Sequence, residues 1–226
     1  QAEQAAQTSW RVFKQHKYLI FIAGLLLLSQ MVGPIIEFQF MSVVEQAFPE
    51  RESRTVYLSS FFATLSLIAL TINFTITPIL LKRMGAIAGL SVQPLVIMFT
   101  SLLFSFYGGI MSAAAMKIGD RGLSYSLNRA ARELLYIPIH PVTIYRAKAW
   151  IDMVGYRAFK LLGSAVILFM TQWLPGITGV GLGVQGMTAV VILICLMWIG
   201  LLAYMRKDYQ KLLDNEERNL AAYRPV

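Results

Sequence analysis

The apolar positions of this chain run in long blocks, with neither the alternation of a half-buried strand nor the one-sided stripe of a soluble helix. Crossing a hydrocarbon core of ~30 Å takes about 20 mostly apolar residues at ~1.5 Å each. Such stretches fall at 18–38, 57–81, 86–107, 109–127, 150–173 and 180–204. The fourth is the least apolar, because Lys117, Asp120 and Arg121 interrupt it. Turn residues separate the blocks: Pro49 with Glu50-Arg51-Glu52, Lys82-Arg83-Met84-Gly85, Gly108-Gly109, Pro138 with Pro141, and Leu174-Pro175-Gly176. The pattern predicts an all-α, membrane-spanning six-helix bundle over 18–204. A connecting segment, 1–17, precedes it and a C-terminal tail, 205–226, follows.

Composition removes the competing classes. Of the 226 residues, 57% are hydrophobic and 14% charged, with a mean hydropathy of +0.59. A soluble domain is nearer 45–50% apolar and about 25% charged, so neither an ordinary globular domain nor a disordered chain fits. The single cysteine, Cys195, lies in the apolar run from Val190 to Met197, where a small packing residue is expected rather than a disulfide or redox centre.

The formal net charge of +8 is mostly a statement about orientation. Arg11, Lys14 and Lys17 precede the first block, and Lys82 and Arg83 follow the second. Arg129, Arg132, Arg146 and Lys148 separate the fourth from the fifth, and five more, beginning at Arg206, follow the sixth. All of these fall on one side of a six-pass chain; the other side has Arg51 and Arg54 alone. The positive-inside rule then places both termini in the cytoplasm of a multi-pass protein of the cell (inner) membrane. No compact basic patch with interleaved aromatics is present, so nucleic acid is not an expected partner. No cleavable leader is expected, and the opening Gln1-Ala2-Glu3-Gln4 reads as the interior of a longer polypeptide.

The remaining charges lie inside the blocks, where each costs ~2.5–3.5 kcal/mol to insert unless it faces a partner or a wet cavity. Lys117, Asp120 and Arg121 are spaced i, i+3, i+4 on one helical face, with Asp120 ~18 Å along the helix from Gly108. Arg157 and Lys160 sit at i, i+3 on the fifth block, and Glu37 toward the outer end of the first, just past Gly33-Pro34. Four cations against two carboxylates leave an excess that an anionic ligand would complement. The plainer reading keeps Lys117, Asp120 and Arg121 as a self-satisfied cluster, with Lys160 and Arg157 snorkelling to the interface.

Leu80-Leu81-Lys82-Arg83-Met84-Gly85, followed by Ala86-Ile87-Ala88-Gly89, resembles the basic tight turn between the second and third helices of a major facilitator half. Two longer segments resemble the nucleotide (ATP/ADP) translocase family of plastids and intracellular bacteria. One runs through Tyr125-Ser126-Leu127, Arg132-Glu133-Leu134-Leu135-Tyr136-Ile137-Pro138, Lys148-Ala149 and Asp152 to Lys160 and Gly163. The other runs from Glu37 to Phe48-Pro49. The resemblance implies the six C-terminal helices of that family, one half of a major-facilitator-type transporter. It implies transport roles for Glu37 and Lys160, and a cytoplasmic motif at Arg132, Glu133 and Tyr136. The chain departs from the family pattern where Met41 and Glu45 stand for lysines, Arg129 for Asp and Leu161 for Ser, and where Phe159 precedes Lys160 in place of Gly.

Other motifs carry less. The run of glycines from Gly176 to Gly186 lacks the Lys-Ser/Thr ending of a phosphate loop. His16 and His140 have no second ligand at helical spacing, and no nucleophile–base arrangement is placed for catalysis, so neither a metal, a cofactor nor an enzyme is expected. Arg129 and Glu133, at i, i+4, suit a helix end that latches a gate or is simply solvated.

The expected protein is therefore half of a secondary transporter working by alternating access. It sits in a lipid bilayer with a second six-helix half on the same polypeptide and moves an anionic small molecule, with a nucleotide the first candidate. Lys160, Glu37, Arg121, Lys117, Asp120 and Arg157 are the expected substrate-binding residues. A transporter of a lipid, a sugar or another organic anion is the alternative. A third reading is a membrane anchor fused to soluble domains.

Overall fold

The computed structural model describes residues 17–135, 151, 155–175, 183, 184 and 186–222. The described residues form no strand. Helix α1 covers Lys17–Ala47 and α2 Arg51–Thr71. One π-helical stretch, Ile72–Ile76, joins α2 to α3, Thr77–Tyr107. Helix α4, Gly109–Leu123, passes through a second π-helical stretch, Ser124–Asn128, into α5, Arg129–Leu135. Helix α6, Tyr156–Leu168, ends in another π-helical stretch, Phe169–Trp173, and α7 spans Met187–Ala222.

The uniformly apolar blocks make helices because backbone groups in hydrocarbon must be satisfied within the segment itself. Among the described residues, three stretches are long and apolar enough to cross a bilayer: Leu19–Ala47, Arg51–Tyr107 and Met187–Arg206. The second is divided at Gly85, whose φ of 78° and ψ of 177° no helix accommodates. Only glycine takes that conformation without a Cβ clash, so the chain turns where the basic run ends. Beyond the turn, Leu81 lies against Gly89. Gly108, with φ of 59°, ends α3 where the sequence places a turn.

One expectation needs correction. The first apolar block, 18–38, underestimates its helix, which continues through Pro34 to Ala47. Glu37 therefore lies ~15 Å short of the helix end rather than near it. The fourth block, weakest by hydropathy, is part of an unbroken helical run from Gly109 to Leu135.

Helix α1 packs against α4, α6 and α7, while α3 packs against α4, α5 and α7. The core divides into two clusters. One joins Leu19, Ile22 and Leu26 to Leu90, Trp198 and Leu202; the other joins Ile36 and Phe40 to Ile97, Met116, Val191 and Cys195. Cys195 is fully buried there and unbonded to any other sulfur. Lipid tails are as apolar as leucine, so helices in a bilayer are held by close packing and polar contacts rather than by the hydrophobic effect. Both devices are present. Gln39, fully buried on α1, donates to the Val184 carbonyl at 2.8 Å and to Thr188 Oγ1 at 3.2 Å, tying α1 to the start of α7. Gly163 of α6 sits so close to the α1 backbone that a Cβ there would lie 2.7 Å from the Met31 carbonyl oxygen.

Candidate functional site

A cavity of about 640 Å³ opens between α1, α4 and α6. Its α1 wall is formed by Gln30, Gly33, Pro34, Glu37, Phe38 and Met41. These positions recur at i, i+3, i+4, i+7, i+8 and i+11, so they share one helical face. Asp120, Arg121, Ser124 and Tyr125 form the second wall, and Tyr156, Lys160, Ser164 and Ile167 of α6 the third.

Charge in this cavity is organised around Glu37. Its Oε2 pairs with Lys117 Nζ from α4 and accepts a second contact from Arg121 Nη2 at 3.4 Å. Lys117 is fully buried, so hydrocarbon and protein deny it water; Glu37 supplies the counter-charge that keeps it tolerable. Arg121 also reaches Asp120, Nε to Oδ2 3.8 Å, and donates from Nη1 to Tyr125 Oη at 2.9 Å. Gln93 of α3 donates to the Asp120 main-chain carbonyl at 3.4 Å. The i, i+3, i+4 spacing on α4 thus presents two cations and a carboxylate to one carboxylate on α1.

Lys160 lines the third wall of the same cavity and is exposed to it. It shares that lining with Arg121, Glu37 and Asp120, while Lys117 is buried against Glu37. Chemically, that is a carboxylate-bridged cationic cluster facing a further cation, able to take an anion through charge-assisted hydrogen bonds. Arg157, on the same helix as Lys160, is exposed and lies outside this lining. Arg132 is half-buried and its Nε has no hydrogen-bond partner, while Glu133 is exposed. Tyr136, His16, His140, Lys148 and Asp152 lie outside the described residues. Among the described residues, no group of three or more His, Cys, Asp or Glu is placed to hold a metal.

Several members of the site lie beyond the charged positions that sequence reasoning selects. Gln30, Tyr125, Tyr156 and Ser164 all line the cavity. Part of the α1 set carries a readable mark: Gln30, Gly33, Pro34 and Glu37 put polar, small and proline residues on one face inside an apolar block. Asn128 lies outside that lining. It is buried in the second π-helical stretch, neither amide atom has a partner, and nothing in the linear sequence distinguishes it. Met41 lines the cavity, whereas Phe159 packs on the first core cluster.

The comparisons with known proteins agree with the resemblance. The model of the TLC ATP/ADP transporter family matches residues 1–120 and 109–209. The "ADP,ATP carrier protein 2" of Chlamydia pneumoniae is 23% identical over 216 residues, covering 86% of this chain and 39% of the carrier. The "ADP,ATP carrier protein 1" of Rickettsia bellii is 23% identical over 238 residues, covering 96% of this chain and 47% of the carrier. That of Rickettsia prowazekii is 23% identical over 223 residues, covering 89% and 44%. The chain spans less than half the length of each of these relatives. No solved structure matches it.

Proposed function

The chain belongs to the TLC ATP/ADP transporter family, and from that premise we propose that it is one six-span half of a secondary transporter for an anionic substrate, a nucleotide first. It is a multi-pass membrane protein, and its relatives are carriers rather than enzymes. The six passes would be α1, the rod 51–84, the rod 86–107, α4 with α5, α6 with its π-helical end, and α7. In this arrangement the basic Lys82-Arg83 turn faces the cytoplasm, as do both ends of the chain.

The observation that carries the reading is the cavity lined by Glu37, Asp120, Arg121 and Lys160, with the buried Lys117 paired to Glu37. Buried charge of this kind is expensive, and in a membrane bundle it marks a substrate path. A phosphate entering the cavity competes with Glu37 for Arg121 and bridges to Lys160, which couples occupancy to the α1–α4 contact. That is the local event alternating access needs, with this half rocking against a second six-helix half around the site.

The test is uptake of labelled ADP and ATP into proteoliposomes holding the full-length protein. Lys160→Gln and Arg121→Gln each remove a charge-assisted contact, which is ~1.5–3 kcal/mol, so uptake should fall roughly tenfold or more. Unchanged kinetics in both variants, across every anionic substrate tried, overturn the proposal. Met41 favours a second reading, because the cavity has a thioether where the family resemblance expects a lysine. A substrate with fewer negative charges than a nucleoside triphosphate would then be preferred. Thermal-shift screening of nucleotides against lipids, sugars and other organic anions separates the two, since a ligand of the folded state raises its melting temperature.

A further inference from the structure

We propose that a second groove, between the turn at Gly85 and helix α7, is a binding site for an anionic phospholipid. The groove encloses about 450 Å³, well apart in the sequence from the residues of the central cavity. Helix α7 contributes Ile199, Leu202, Ala203, Arg206, Tyr209 and Gln210. Their spacing of i, i+3, i+4, i+7, i+10 and i+11 makes them a single face. Along that face the chemistry changes once: three apolar residues, then an arginine, a tyrosine and a glutamine. The change falls at Arg206, where the apolar span Met187–Arg206 also ends. The groove therefore straddles the level at which hydrocarbon gives way to headgroups.

The opposite wall is mostly apolar. Ile87 and Ser91 line the groove past the break, while Met84 and Gly85 form its rim. Lys82 and Arg83 stand exposed immediately before that rim. The described lining includes no carboxylate, unlike the central cavity with Glu37 and Asp120. An apolar floor beneath Arg206, with Lys82 and Arg83 next in sequence to the rim, complements an amphiphile bearing a phosphate. A free phosphate has no use for Ile87, Ile199 and Leu202, and a neutral lipid has none for the cations. Near a membrane surface each Lys or Arg is worth about fivefold in attraction for anionic lipid.

The experiment uses full-length protein taken from vesicles of phosphatidylcholine containing phosphatidylglycerol, with retained lipid read by native mass spectrometry. The wild type should retain phosphatidylglycerol in preference to phosphatidylcholine. Arg206→Gln should reduce that preference about fivefold, and adding Lys82→Gln with Arg83→Gln should reduce it further by a like factor per charge. Ala203→Trp, at an exposed position that tolerates a larger side chain, should fill the groove and release the lipid. Equal retention of both lipids by the wild type overturns the proposal, as does an undiminished preference in the charge variants. Displacement of bound phosphatidylglycerol by inorganic phosphate alone overturns it as well, because the site would then be one for a free anion. None of these readouts depends on the transported substrate.

Discussion

Two glutamates on α1, Glu37 and Glu45, form ion pairs of opposite character. Glu45, in the hairpin that joins α1 to α2, accepts from Arg54 at 2.7 Å, and its side chain is 71% exposed. Glu37, two turns back along the helix, is shared between Lys117 and Arg121; its side chain is 33% exposed and that of Lys117 not at all. The exposed pair is short, yet water competes for both partners and holding two long side chains costs entropy. In the interior the alternative to pairing is a bare charge in hydrocarbon. Separation does not rank the two interactions; what replaces a partner once it leaves does. The hairpin does not rely on its salt bridge in any case. Phe48 stacks on Tyr57 with ring centroids 4.8 Å apart, and Phe40 meets Phe61 at 4.6 Å.

The sharpest way to break the contrast is Glu37→Gln. Lys117 is then left buried opposite a neutral amide, and the expected loss is ~3–5 kcal/mol, seen as a lowered melting temperature in detergent or nanodiscs. Adding Lys117→Met should recover most of that loss. If the single variant proves no less stable than the double one, the pair is not the interior strut described here.

A smaller effect separates packing from charge on the same cavity walls. Gly163→Ala drives a methyl group into the α1 backbone at Met31 and should cost ~1–3 kcal/mol. Gly33→Ala, where a Cβ meets nothing within 4 Å, should be neutral or raise stability by up to ~1 kcal/mol through helix propensity. Chemical denaturation of the two variants side by side distinguishes them; equal effects would mean that the α1–α6 approach is looser than the geometry indicates. The smallest change belongs to the hairpin. Glu45→Gln should shift stability by less than ~1 kcal/mol and lose even that at high salt, which melting curves at two ionic strengths will report.

The long helices and their turns were legible because hydrophobic block length and glycine chemistry act locally. Gly85 could be located from its basic prelude, and the shared face of Lys117, Asp120 and Arg121 from counting along one helix. The level of Glu37 could not. Glu37-Phe38-Gln39 reads as the polar end of a span, yet the Gln39 amide nitrogen donates to Val184 and Thr188, residues remote in sequence. Only a contact between elements tells a polar residue that ends a span from one that is bonded within it. The π-helical stretches escaped for a related reason: each adds one residue to a turn without any residue type that demands it. Arg157 and Lys160 show the limit in reverse. Both carry charge on one helix three residues apart, and the cavity takes only Lys160 into its lining.

The seam at Gly163 also offers a ruler for proteins whose sequences are all that is known. Because backbone faces backbone there, no rotamer change makes room for a side chain. A relative with alanine at the aligned position must hold the two helices farther apart, and one with leucine farther still. The width of the central chamber in such a relative can therefore be ranked from a single letter of its sequence, before any coordinates exist.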